Sequence, residues 1–370
     1  MRRITKLMEG WQFTGPDGVT AAVELPHTWN AKDGQDGGND YWRGTCTYRT
    51  SFAAPAYDPD RQQVWLQFEG VNASAAVLLN GRKLCAHDGG YSTFRAEVTE
   101  LLQAENQLTV QVDNSVNDRV YPQKADFTFY GGIYRDVSLL VVSKNHIALG
   151  HLGDTGVKIT PALKEGSADI RVETRVEGEG TVTVELLDAE GSTVARAEGE
   201  STSLHLDAPH LWNGVKDPYL YTCIVRLLND GEPVDEVTTR VGLRTFAVDA
   251  KKGFFLNGRP YPLHGVSRHQ DRKGLGNAIT REMHDEDMAL IRELGANTVR
   301  LAHYQHDQYF YDLCDQYGMV VWAEIPYISE HLPNGRENTL SRPLQPGGPH
   351  HRSGQLEPVP GLVRAGPVFE

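Results

Sequence analysis

Three strand-like runs in the last third of the chain end in side chains that can bind ligands and move protons. His264, Arg268 and His269 accompany the run "RPYPLHGVSR". Arg300 and His303 end "ANTVRLAHY"; Glu324 ends "MVVWAEIP", with Glu330 and His331 in the loop behind it. Strand interiors are apolar for packing, and parallel α/β folds meet their ligands at the carboxyl ends of the strands. Imidazoles, a guanidinium and carboxylates gathered there therefore point to a polar pocket. Each has a plainer reading. Arg300 and Glu324 are the types of an ion pair that ties neighbouring strands together. His303 and His331 are candidate metal ligands, but no HxxEH-type or paired spacing supports a metal. His284 reads as a solvated residue of a helix surface.

The elements that must position this set follow a regular order. "TREMHDEDMALIRELG" reads as a helix with Thr280 as N-cap, Met288, Ile291 and Leu294 on one face, and Gly295 just past its end. "DQYFYDLCDQYG" reads as a second, with Phe310, Leu313, Cys314 and Tyr317 at i, i+3, i+4 and i+7 before Gly318. With the three runs this makes βαβαβ, hence parallel strands and right-handed crossovers. No GxGxxG follows the first strand, so a dinucleotide fold is not supported.

The upstream residues are β throughout. Up to residue 143, short apolar runs such as "QVWLQFEGV" and "NQLTVQVDN" recur about every ten residues between Gly, Asn and Asp, the pattern of a sandwich or jelly roll. Asn80-Gly81 is a type I′ hairpin signal. From 144 to 250, "ADIRVETRVEG" and "TVTVELLDAEG" alternate strictly, and a turn at Asn229-Asp230-Gly231 separates two more strands. About a hundred residues of this kind predict an immunoglobulin-like sandwich.

Composition narrows the classes. The formal charge of -13 over 370 residues argues against a nucleic-acid or anionic-membrane surface. Cys46, Cys85, Cys223 and Cys314 have no metal or redox spacing and read as buried free thiols. The N-terminus has no apolar core of a signal peptide, and no stretch approaches the ~18 apolar residues of a membrane helix. A cytoplasmic location is the expectation.

Six ordered motifs, "LPHTWN", "FEGVNASAAVLLNG", "YGGIYRDVSLL", "HGVSRHQD", "GANTVRLAHY" and "LCDQYGMVVWAEIP", resemble glycoside hydrolase family 2, and most its bacterial β-galactosidases. The resemblance runs from about residue 7 to Ser341. It implies a jelly-roll sugar-binding domain (1–143), an immunoglobulin-like β-sandwich (144–250) and the first three βα units of a (β/α)8 TIM barrel (251–341). It implies that Asp126 reaches from the jelly roll into the sugar pocket, where such an aspartate holds a sugar hydroxyl and a sodium ion. Asp40 would be a second jelly-roll contact. Arg300, His303, Glu324 and His331 would line the barrel side. No organic cofactor is implied; sodium or magnesium would belong to a full-length enzyme. Gln305, where many members have proline, and the loop "EIPYISEH" depart from the family pattern.

A retaining glycosidase needs two carboxyl groups about 5 Å apart. In this family the acid/base is a glutamate after an asparagine, and no Asn-Glu pair occurs in these 370 residues. Neither catalytic carboxylate is therefore expected in the chain. Residues 342–370 hold six prolines and five glycines. Such a composition does not fold, and its abrupt onset is what a reading-frame slip or a mis-called gene end produces; a flexible tail is the alternative. The expected role is thus part of a retaining β-galactosidase-like hydrolase, inactive alone, whose partner is a β-linked galactoside or related neutral sugar. A homo-oligomer would belong to the parent enzyme. The alternatives are a non-catalytic carbohydrate-binding module and a β-glucuronidase-type parent. Asp126 would repel a uronic acid and so favours galactose over glucuronate.

Overall fold

A computed structural model describes residues 1–33 and 42–328. The first unit is a sandwich of two antiparallel sheets. One has four strands in the order Arg3–Lys6, Val137–Ser143, Gln62–Phe68, Phe94–Glu97. The other has six: Thr20–Val23, Trp11–Thr14, Thr45–Ala53, Glu105–Asp113, Ser74–Leu79, Arg82–Asp88. Strict alternation sends Cys46, Tyr48, Thr50 and Phe52 inward from Thr45–Ala53, and Leu66, Phe68, Val77, Val110 and Leu139 meet them in the core. Asn80 and Gly81 both have positive φ, 53° and 76°, as the type I′ hairpin requires.

The second unit packs a three-stranded sheet (Val157–Lys164, Ser167–Thr174, Ser201–Asp207) on a four-stranded one (Thr193–Glu198, Thr181–Leu187, Tyr221–Asn229, Glu232–Val241). Its core includes Ile170, Val172, Val184, Cys223 and Val225. Asp230 and Gly231 again take positive φ in the turn.

The run read as one strand, "RPYPLHGVSR", is two. Arg259–Pro260 pairs antiparallel with Gly253–Leu256 in a small sheet, and the parallel strand is only Gly265–Arg268. Pro260 and Pro262 lack the N–H that a continuous ladder needs. Gly265–Arg268, Thr298–Leu301 and Val320–Ala323 then lie side by side, all parallel. The helices α1 (Arg281–Glu293) and α2 (Gln308–Tyr317) follow the first and second of them. Val299, Leu301 and Val321 pack under Met288, Ile291, Phe310 and Leu313.

Two expectations for α1 are corrected. His284 is buried, at 2% exposure, and Leu294 is 73% exposed. With about 100° per residue, positions 284, 288 and 291 fall in one stripe while 294 lies some 60° beyond it. Leu294 is also the C-cap, past the last helical residue. Of the four cysteines, all free, Cys85 is only half-buried and the other three are buried.

The units are tied together by specific contacts. Arg135 Nη2 donates to the main-chain oxygen of Gln305 at 2.7 Å, and its Nη1 to that of Tyr91 at 3.2 Å. The Tyr91 and Tyr304 rings stack at 4.3 Å. Trp212 Nε1 of the second sandwich donates to the main-chain oxygen of Asp315 in α2. The jelly roll therefore sits against the carboxyl ends of the three parallel strands, and its segment 113–131 reaches them. No helix among the described residues is long and apolar enough to cross a membrane.

Candidate active site

The second and third parallel strands are in register, Arg300 opposite Trp322 and Leu301 opposite Ala323. Alternation turns Val299 and Leu301 towards the helices, so Arg300 emerges on the opposite, inner face. Its Nε donates to Glu324 Oε1 at 2.6 Å and its Nη2 to Oε2 at 3.0 Å. His303 completes a triangle: Nδ1 lies 3.2 Å from Arg300 Nη2 and 3.1 Å from Glu324 Oε2. A guanidinium only donates and a carboxylate only accepts, so Nδ1 serves one or the other. In both cases it is taken up by the protein, and Nε2 is the nitrogen left for a ligand. Ser267 Oγ, on the first strand, lies 3.3 Å from Arg300 Nη1.

His269 follows the first strand and stands beside His303, ring centres 5.3 Å apart. Its Nδ1 is 3.4 Å from the Tyr304 hydroxyl. Burial holds the His269 imidazole below its ordinary value; Asp271 and Asp126 oppose this, while His303 and Arg300 reinforce it. His269 is thus neutral near pH 7, a hydrogen-bonding rather than a charged group.

The jelly roll closes the set. Phe127 lies over His303, centres 5.7 Å apart and planes 9° from parallel, and touches His269 at 5.2 Å. Its neighbour Asp126 is exposed and acts electrostatically on His269. Tyr130 Oη, from the same segment, is 3.1 Å from Asp271 Oδ2. Two glycines let the segment dock. A Cβ on Gly131 would meet the Trp29 ring at 2.0 Å, and Gly132, at φ 148°, has the His27 carbonyl oxygen 2.3 Å from such an atom.

The structure brings together Arg300, His303 and Glu324, while Asp126 of the jelly roll acts electrostatically on the neighbouring His269. Asp40, Glu330 and His331 lie outside the described residues. Two members of the strand-end set do not belong. His264 precedes Gly265 and so stands at the amino end of the strand, exposed. Arg268 turns under the helices, its Nε and Nη2 on Asp287 at 2.9 and 2.7 Å and its guanidinium 3.9 Å over Phe310. It also meets His284 and His306, at 3.0 and 3.1 Å. Phe127 and Tyr304 were missed: an aromatic beside a candidate aspartate reads as core, and only the docking of two units shows otherwise.

Among the described residues, no group of three or more His, Cys, Asp or Glu side chains is placed to hold a metal ion.

Three family models match in succession. The galactose-binding domain-like model of glycosyl hydrolase family 2 matches residues 38–162, the central family 2 domain 151–244, and the family 2 TIM-barrel domain 246–357, running past Ser341. The chain belongs to glycoside hydrolase family 2. A β-glucuronidase of Bacteroides fragilis is 40% identical over 345 residues, spanning 87% of this chain and 49% of the relative. A β-galactosidase of Bacteroides ovatus is 31% identical, spanning 85% and 40%. The crystal structure of an FMN-binding β-glucuronidase from Faecalibacterium prausnitzii L2-6 superposes with a TM-score of 0.85 at 42% identity, covering 88% of this chain and 52% of that one. The chain thus spans about half the length of the family 2 relatives it matches. The jelly roll, the immunoglobulin-like sandwich and the opening βα units of a TIM barrel are the family 2 order of domains.

Proposed function

We propose that the chain forms the sugar-holding wall of a retaining β-glycosidase, with terminal β-D-glucuronides as its substrates. The observation that carries this is the meeting of Asp126 and Phe127, from the jelly roll, with His269, His303 and the Arg300–Glu324 pair at the barrel strand ends. Two imidazoles, a carboxylate and a flat aromatic ring are the groups that hydrogen-bond hydroxyls and line the face of a pyranose. The relatives at 40% and 42% identity, both β-glucuronidases, support the uronide.

A second reading, β-galactosides, rests on one feature. The Asp126 carboxylate repels a uronate, while Arg300 is committed to Glu324. In either reading the two catalytic carboxylates are not Glu324 or Asp126. Glu324 is taken up bidentately by Arg300, and no Asn-Glu pair stands in the sequence.

Calorimetric titration of the chain with D-glucuronate and with D-galactose near pH 7 tests the choice. Tighter binding of glucuronate supports the uronide; tighter binding of galactose moves the assignment to the second reading. Failure of both sugars to bind rejects the sugar-wall function.

A further inference from the structure

Phe127 belongs to the jelly roll yet spends its ring on the barrel. It is stacked nearly parallel on His303 and touches His269 and Tyr304 at 5.2 and 5.6 Å. On its own segment it meets Phe129, at 5.4 Å. We propose that Phe127 is a positioning residue: its ring fixes the plane of the His303 imidazole, and so decides where His303 Nε2 points. This deepens the sugar-wall reading and rests on it.

The argument starts from what else holds His303. Nδ1 is drawn towards both Arg300 Nη2 and Glu324 Oε2, and with two partners to move between it leaves the ring a range of swing about the Cβ–Cγ bond. A flat surface stacked on the imidazole removes that rotation, since aromatic rings at such separations prefer defined offset or edge geometries. Phe127 supplies the surface, and its edge contact with Tyr304, 63° between planes, holds Phe127 in turn. Tyr304 is itself locked by stacking on Tyr91. The chain of rings Tyr91, Tyr304, Phe127, His303 runs from jelly roll to barrel, back to the jelly roll and on to the barrel again. Docking of the first domain is thereby coupled to the aim of one imidazole nitrogen. The same ring shields His269 on one side, where burial is the main cause holding its imidazole below the ordinary value.

The test compares the chain with Phe127→Ala, Phe127→Leu and Phe127→Tyr by long-range proton–nitrogen spectra of the imidazoles over a pH series. Phe127→Ala is expected to alter the tautomer balance of His303 and to move the His269 titration upward towards the ordinary imidazole range. His205 and His210, on the second sandwich, should not change. Phe127→Tyr, which keeps the ring, should restore the parent spectra. Phe127→Leu keeps apolar volume without a plane, so it should hold the melting temperature and still show the His303 change. Binding of D-glucuronate should weaken about tenfold in the alanine and leucine variants, and less than about twofold in the tyrosine one. Parent-like His303 and His269 signals in Phe127→Leu would overturn the proposal. If the parent chain binds no monosaccharide, the sugar-wall reading fails, while the imidazole comparison still decides what Phe127 does.

Discussion

Arg300 and Glu324, from neighbouring parallel strands, face each other as fork to fork, with both guanidinium–carboxylate bonds made at 2.6 and 3.0 Å. The pair is half open to solvent on the arginine side, 38% against 20%. Solvent screening keeps the stabilising effect of such a pair to ~1 kcal/mol or less. Glu324→Gln should therefore lower the melting temperature by only a few degrees. It removes one anchor of His303, so monosaccharide binding should fall by about tenfold, equivalent to ~1.4 kcal/mol. A large loss of stability with unchanged binding would make the pair structural only.

Arg268 presents the opposite case. It is 6% exposed, bonded to Asp287 and stacked on Phe310. Removing one partner of a buried pair costs about 3–5 kcal/mol because the other charge stays behind. Asp287→Ala should accordingly loosen the barrel segment, seen as faster amide exchange in α1 and α2, with sugar contacts affected only through that loosening. Unchanged exchange rates would contradict the placement of Arg268.

The pH dependence of stability follows from three groups, one buried and two half-buried. Burial lowers His27 and His284 to about 4, the latter with help from Arg268. In the window between about 4 and 6.5 the unfolded chain binds protons that the folded one does not, so stability is full above 6.5 and declines as pH falls. Burial, then Asp307 and Asp136, raise Glu69 to about 7. Its sign is reversed: the folded state holds the extra proton between about 4.5 and 7, and stability declines as pH rises through that window. His284→Gln should flatten the acid limb and Glu69→Gln the other, each by up to ~1.4 kcal/mol per pH unit, read from denaturant midpoints. Because the two limbs can cancel in the parent, the refuting result is a midpoint indifferent to pH between 4 and 7 in the parent and in both variants.

Gly132 links backbone to site. An alanine there would strain φ 148° and meet the His27 carbonyl oxygen. Gly132→Ala should cost more than about 2 kcal/mol and undock the segment carrying Asp126 and Phe127, with a matching loss of near-ultraviolet aromatic dichroism. An alanine variant as stable as the parent would show that this segment is not held as described.

Much of this was legible in the chain itself. The I′ turn at Asn80-Gly81, the turn at Asn229-Asp230-Gly231, the alternation of both sandwiches and the βαβαβ order depend on local propensity and period, which sequence carries. Arg300, His303 and Glu324 were legible because strand ends in a parallel sheet are where polar side chains are free to gather. What failed was non-local. His284 lies on the buried stripe of its helix because Arg268 waits beneath it, and nothing near residue 284 announces that partner. Pro260 split a strand that apolar content alone ran together. Phe127 lies beside Asp126 in sequence, but its role depends on two domains docking.

The absence of an Asn-Glu pair makes a further expectation for the isolated chain. It should not turn over p-nitrophenyl β-D-glucuronide or β-D-galactoside above background. Turnover that survives repurification and disappears in Glu324→Gln would place a catalytic carboxylate where none is assigned.

The central claim is that one sugar site is built jointly by the jelly roll and the barrel strands. A double-mutant cycle between Phe127→Ala, from the jelly roll, and His303→Ala, from the barrel, read as calorimetric affinity for D-glucuronate and D-galactose, tests it most directly. The account predicts that each substitution weakens binding of the preferred sugar by about tenfold and that the double variant loses less than the sum of the two. Strictly additive losses, or a loss from only one of the two positions, would contradict a shared site.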